Sequence, residues 1–111
     1  MFERRRQGAV DLIQGDDPVT AEHLPAIGRL CEESLGGGQP RAVLDLSRVA
    51  LFDSAGLEWL LNMQERFVQR GGAVKLAAPN QLCRDILLVT GIDRHFEIFN
   101  DTVAAVGSFA R

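Results

Sequence analysis

The chain has 111 residues and a formal net charge of -3, with 46% hydrophobic and 24% charged residues. That is the balance of one soluble globular domain over residues 1–111, long enough to bury a single core without staples. It excludes a disordered or collagenous chain, gives no basic footprint for direct nucleic-acid binding, and holds no apolar run near the ~20 residues that cross a bilayer. The N-terminus lacks the apolar region of a signal peptide, so the expected setting is cytoplasmic and not membrane-embedded.

A short pairing strand is expected near residues 2–6. It carries Arg4, Arg5 and Arg6, a basic run suited to a solvated strand edge or arm. Residues 9–14 form the next strand, ended by the turn Gly15-Asp16-Asp17-Pro18. Thr20 is placed to cap a helix through about residue 35, with Leu24, Ile27, Leu30, Cys31 and Leu35 on one face. Pro25 falls early in it, where a missing N–H costs least. Gly36-Gly37-Gly38-Gln39-Pro40 reads as a helix-to-strand loop. Residues 41–46 are almost continuously apolar, as in a central strand.

A helix follows over residues 55–70, closed by Gly71-Gly72. Leu57, Leu60, Leu61, Phe67 and Val68 form its expected core stripe, interrupted by Gln64, while Trp59 points away and Met63 lies on the flank. A strand over 73–78 leads to a helix over 81–90, capped by Asn80 and followed by Gly91. A short strand over 96–99 precedes a last helix from 102 to about 109, capped by Asp101 or Thr102. Strands alternating with helices predict an α/β fold with a largely parallel sheet.

The stretch Phe52-Asp53-Ser54-Ala55-Gly56-Leu57 brings a serine to the start of a helix. A nucleophilic serine needs a base, usually a histidine held by a carboxylate. Asp53-Ser54-Ala55-Gly56 lacks the leading glycine of a Gly-x-Ser-x-Gly elbow, and His23 and His95 fit surface or turn positions. No phosphate-binding Gly-x-x-x-x-Gly-Lys loop and no metal-ligand spacing occurs, and Cys31 and Cys83 read as small buried thiols. No catalysis, cofactor or metal is expected.

What remains is a hydroxyl at a helix start. Asp53 or Ser54 serves there as the N-cap, and the positive end of the helix favours an added phosphate. Gly56 is unfavourable so early in a helix, and reads as room beside Ser54 for a partner backbone or a nucleotide. Trp59, with Glu58 and Met63 beside it, is a candidate partner contact.

With these residues in place, the chain resembles STAS domains, most closely the bacterial anti-sigma factor antagonists. The likeness is carried by Ala42-Val43-Leu44-Asp45-Leu46-Ser47, by Phe52-Asp53-Ser54-Ala55-Gly56-Leu57 with Leu60-Leu61, and by Arg70-Gly71-Gly72. It continues through Val74-Lys75-Leu76-Ala77 and Leu88-Val89-Thr90-Gly91-Ile92-Asp93-Arg94-His95-Phe96, in family order over residues 9–109. The resemblance implies a STAS-type single domain, a small mixed and mostly parallel sheet with about four helices mainly on one face.

It also implies that Ser54 is a phosphate acceptor, with Asp53, Ala55, Gly56, Asp16 and Asp17 around it. The implied partners are an anti-sigma factor that is itself a GHKL-type serine kinase, and a serine phosphatase that resets the switch. The unphosphorylated form binds the kinase and frees a sigma factor, and the protein is a monomer or weak dimer. The family often has a Gly-Glu-Leu-Asp turn after its second strand. Here Gly15-Asp16-Asp17-Pro18 is one residue shorter, which leaves either aspartate for the acid's role. As alternatives to that leading expectation, the resemblance also admits a cytoplasmic STAS subunit of a lipid or solute ABC transport complex docking its ATPase, or a component of another STAS-based signalling complex.

Overall fold

The computed structural model describes residues 1–110. Its strands are β1 (Phe2–Gln7), β2 (Val10–Gly15), β3 (Arg41–Asp45), β4 (Ala73–Ala77) and β5 (Ile98–Phe99), and its helices are α1 (Leu24–Leu35), α2 (Ser54–Gln69), α3 (Gln81–Thr90) and α4 (Thr102–Ser108). The strands form one sheet in the order β1-β2-β3-β4-β5. β1 pairs antiparallel with β2 through a tight hairpin, and every other pair is parallel. A parallel step needs a crossover long enough to return the chain, and α1, α2 and α3 supply the three crossovers. The expected α/β architecture, mixed and mostly parallel, is what the chain adopts.

Strand alternation divides the core in two. Ile13, Ala42, Leu44, Val74 and Leu76 face the layer of α1, α2 and α3, where Ile27, Cys31, Leu60, Met63, Phe67 and Leu87 cover them. Val10, Leu12, Val43 and Ala77 face the other way, against Ala105 of α4 with Phe99 and Phe109 beside it. The helices therefore lie mainly on one face, as expected, with α4 on the opposite face.

Several local readings change. Thr20 makes no side-chain cap; a 3-10 turn over Ala21–His23 precedes α1 and leaves Pro25 in the helix's first turn. Val68 is 57% exposed instead of joining the core stripe. Gly56, Leu60, Met63 and Phe67 form the buried seam of α2, which is rotated toward α1. Met63 is thus core and only 4% exposed, so it has little surface to give a partner. Gln64 interrupts the stripe for a structural reason. Its amide accepts from the Val74 N–H (2.7 Å) and donates to the His95 carbonyl (2.8 Å), tying α2 to β4 and to the turn after α3. That turn, a 3-10 segment over Ile92–His95, also shortens the last strand.

The arginine run is not wholly a solvated edge. Arg6 lies 3.2 Å and Arg4 3.8 Å from the carboxylate of Asp11, which is buried on β2, and Arg4 also reaches Glu33 on α1 at 3.5 Å. A buried carboxylate needs such partners.

Candidate functional site

The parallel strands β2, β3 and β4 all point the same way, and the loops at their carboxyl ends gather beside the N-terminus of α2. The sequence left the cap of α2 open between two residues, and it is Asp53. Its backbone is extended (φ -100°, ψ 179°), and one carboxylate oxygen accepts from the Gly56 N–H at 2.7 Å. The other oxygen accepts from the Ala21 N–H at 3.1 Å, at the entry to the first 3-10 turn. Asp53 therefore fastens two loops together. The N–H of Gly56, then that of Ala21, holds its carboxyl below the usual carboxylate range. Because Asp53 does the capping, Ser54 does not. Ser54 is the first residue of α2, exposed, and its hydroxyl has no hydrogen-bond partner among the described residues.

Gly56 has a different cause from the one its sequence position suggests. A Cβ there would stand 2.8 Å from the carbonyl carbon of Val19 and 3.2 Å from Val19 Cγ1. The backbone that needs the room is the chain's own. Val19 forms a parallel bridge with Phe52, its N–H donating to the Leu51 carbonyl at 3.0 Å. The loop before Ser54 is gripped from the other side by Asn80, whose Nδ2 donates to the Val49 and Ala50 carbonyls at 3.1 and 3.2 Å. The same amide's oxygen caps α3 by accepting from the Cys83 N–H at 2.8 Å. Val19 and the second role of Asn80 were not legible in sequence. An Asn before a helix signals a cap, but nothing local signals which distant carbonyls its N–H groups will meet.

Of the other candidates, Ala55 is half-buried and Glu58 is exposed on the next turn. Trp59 packs partly against the core. Asp16 and Asp17 both hold the Met1 ammonium at 2.6 Å, and Asp17 also lies 3.7 Å from His23 Nδ1. The ammonium holds the Asp16 carboxyl below its ordinary range, with Arg48 of the loop before Ser54 adding to this. Neither aspartate hydrogen-bonds Ser54 among the described residues. Among the described residues neither imidazole hydrogen-bonds Ser54, no cluster of His, Cys, Asp and Glu is arranged to hold a metal, and no helix is long and apolar enough to cross a membrane.

A family profile described as "Mlab, STAS domain" matches residues 3–100. The chain belongs to the STAS domain family. Among solved structures, this STAS domain is similar to a candidate anti-sigma factor antagonist from Thermotoga maritima, with 23% identity, 99% of this chain and 95% of that chain covered, and a TM-score of 0.91. It is similar to the anti-sigma factor antagonist SpoIIAA in its unphosphorylated form (13% identity, 99% and 96% covered, TM-score 0.82). The phosphorylated form of SpoIIAA, from Bacillus, matches at 14% identity over 100% of both chains with a TM-score of 0.72. It is similar also to part of the murine anion transporter Slc26a9, at 14% identity, with 92% of this chain but 18% of that chain covered and a TM-score of 0.78. At these identities the likeness shows a shared fold. Among curated proteins, none matches.

Proposed function

We propose that this STAS domain is an anti-sigma factor antagonist whose binding is switched by phosphorylation of Ser54. The observation that carries the reading is the division of labour at the start of α2. Asp53 caps the helix, and the neighbouring hydroxyl of Ser54 is left exposed and unpartnered. A serine engaged in capping would have to give up that bond to enter a kinase site; this one gives up nothing.

The partner in this reading is an anti-sigma factor that is itself a GHKL-type serine kinase, bound in the unphosphorylated state so that a sigma factor is released. A phosphate on Ser54 adds about -1.5 to -2 charges. Within the domain these lie at the positive end of α2, where they are tolerated. At the interface they stand beside Asp53, with Glu58 a turn away, and repel an acidic or apolar partner surface. Removal of the phosphate by a serine phosphatase restores binding. The protein acts as a binding module and carries out no chemistry of its own. That SpoIIAA exists in phosphorylated and unphosphorylated forms on this fold supports the reading.

A second reading has its own support. The occurrence of the fold inside an anion transporter favours a part in membrane transport, and in this reading the chain is a STAS subunit docked on the ATPase of an ABC complex. Incubating the purified chain with its candidate kinase and ATP, then locating the phosphate by mass spectrometry, separates the two. Stoichiometric modification of Ser54 is expected. An unmodified Ser54, together with stable co-purification of an ABC ATPase, would overturn the switch in favour of the transport subunit.

A further inference from the structure

Gly28 stands in the interior of α1, where glycine is the least favoured residue short of proline. Unlike Gly56, it is not required by packing. A Cβ there would meet only Trp59 Nε1, at 3.5 Å, an ordinary contact distance. Gly28 lines an open groove of about 320 Å³ between α1 and α2. Leu24, Pro25 and Met63 give the groove its apolar lining, and the Trp59 indole stands along it.

Of the unengaged polar groups in this groove, Arg29 and Trp59 are donors, and Asn62 brings a carboxamide that can donate as well as accept. Glu32 is already held by two hydrogen bonds from the Arg66 guanidinium, one of them 2.9 Å long. Arg29 is exposed and forms no ion pair among the described residues, and the Trp59 Nε1–H likewise has no acceptor there. A chain of net charge -3 thus presents a local groove with one uncompensated cation and one free indole N–H. Trp and Arg are the side chains most enriched where protein interfaces concentrate their affinity.

We infer that this groove receives an acidic segment of a partner protein. A carboxylate of the segment lies against the Arg29 guanidinium and the indole N–H, and a neighbouring aliphatic side chain covers Leu24 and Pro25 above the buried Met63. A groove open along two helices encloses too little of a free small molecule to hold it well, because small-ligand sites bury most of their ligand. A chain segment makes up the difference with contacts to either side. The inference does not rest on Ser54: its test uses neither kinase nor phosphate, so either reading can fail while the other stands.

Trp59 is the one tryptophan and the chain has no tyrosine, so its fluorescence reports this groove directly. The chain is titrated with a capped peptide of alternating leucine and glutamate, with its leucine–lysine counterpart, and with capped glutamate alone. The acidic peptide should shift Trp59 emission saturably and the lysine peptide should not. Arg29→Ala should weaken the acidic peptide by at least about tenfold, and Gly28→Leu, whose side chain occupies the groove, should abolish the response. Absence of a saturable shift with the acidic peptide, an equal shift with the lysine peptide, or an affinity unchanged in both variants would overturn the inference. So would capped glutamate binding as tightly as the peptide, which would make this a small-anion site. Should Gly28→Leu not fold by circular dichroism, Gly28→Ala reads the narrowed groove instead, with a several-fold loss expected and no loss contradicting the inference.

Discussion

Gly28 and Gly56 both sit within helices, and the same substitution should move them in opposite directions. At Gly56 a methyl group collides with the Val19 carbonyl, a backbone group fixed by its bridge to Phe52. Gly56→Ala should therefore cost about 1–3 kcal/mol despite the better helix propensity of alanine. Gly28→Ala meets only an ordinary contact and should stabilise the fold by up to about 1 kcal/mol, both changes being read by denaturant unfolding. In sequence Gly56 is visible as an anomaly, but its cause is tertiary and lies on another segment, whereas no packing contact requires Gly28. Cys31 offers a pH test. Burial, with Glu32 and Asp11 adding to it, pushes its thiol up to about 12. Because the folded value is raised, the stabilising difference is present below the unfolded thiol's pKa and is lost as pH climbs from about 9 toward about 12. Cys31→Ala should flatten that part of the stability profile, and the native thiol should resist alkylation at neutral pH.

α2 and α3 began where their capping residues promised, because an Asp or Asn ahead of an apolar run satisfies early N–H groups locally. α1 did not. Thr20 makes no side-chain cap; its backbone carbonyl closes the 3-10 turn by accepting from the His23 N–H at 2.8 Å, while Asp53, a residue of another loop, accepts the Ala21 N–H. The misplaced Val68 has a similar origin. The buried seam of α2 is set by where α1 and the sheet meet it, and Val68 borders the open cleft near His95. Two substitutions test the clasp that these loops form. Asn80→Ala removes the α3 cap and frees the Val49 and Ala50 carbonyls together, and should cost about 2 kcal/mol with faster amide exchange at Cys83. Asp53→Asn keeps a capping oxygen for Gly56 but removes the carboxylate shared with Ala21, so the Ala21 amide should exchange faster. The pH dependence has a defined sign. The Asp53 carboxyl is held below its ordinary range, so its contribution is present above the unfolded carboxylate's pKa and disappears as pH falls through the folded value. Asp53→Asn should remove that part of the acid limb.

Over the whole molecule, the α/β class, the strand and helix order and the family were all readable from periodicity, caps and the stretch around Ser54. What could not be read was which loops would lie together at the carboxyl edge of the sheet, because that follows from crossover packing and not from any local signal. That packing gives the account its physical content. The Val19 loop and Asn80 brace the Ser54 loop from both sides, so under the proposed switch a phosphate would change a surface without loosening the domain. Phosphoserine installed at position 54 during synthesis should accordingly leave the thermal midpoint nearly unchanged. The most direct measurement is the affinity of the candidate kinase for the unmodified protein and for the phosphoserine form, by titration calorimetry without ATP. Tight binding of the unmodified chain and a loss of at least about a hundredfold, or about 2.7 kcal/mol, in the phosphorylated form is the expected result. Equal affinity of the two forms, with both fully folded, would contradict the central claim that Ser54 is the switch.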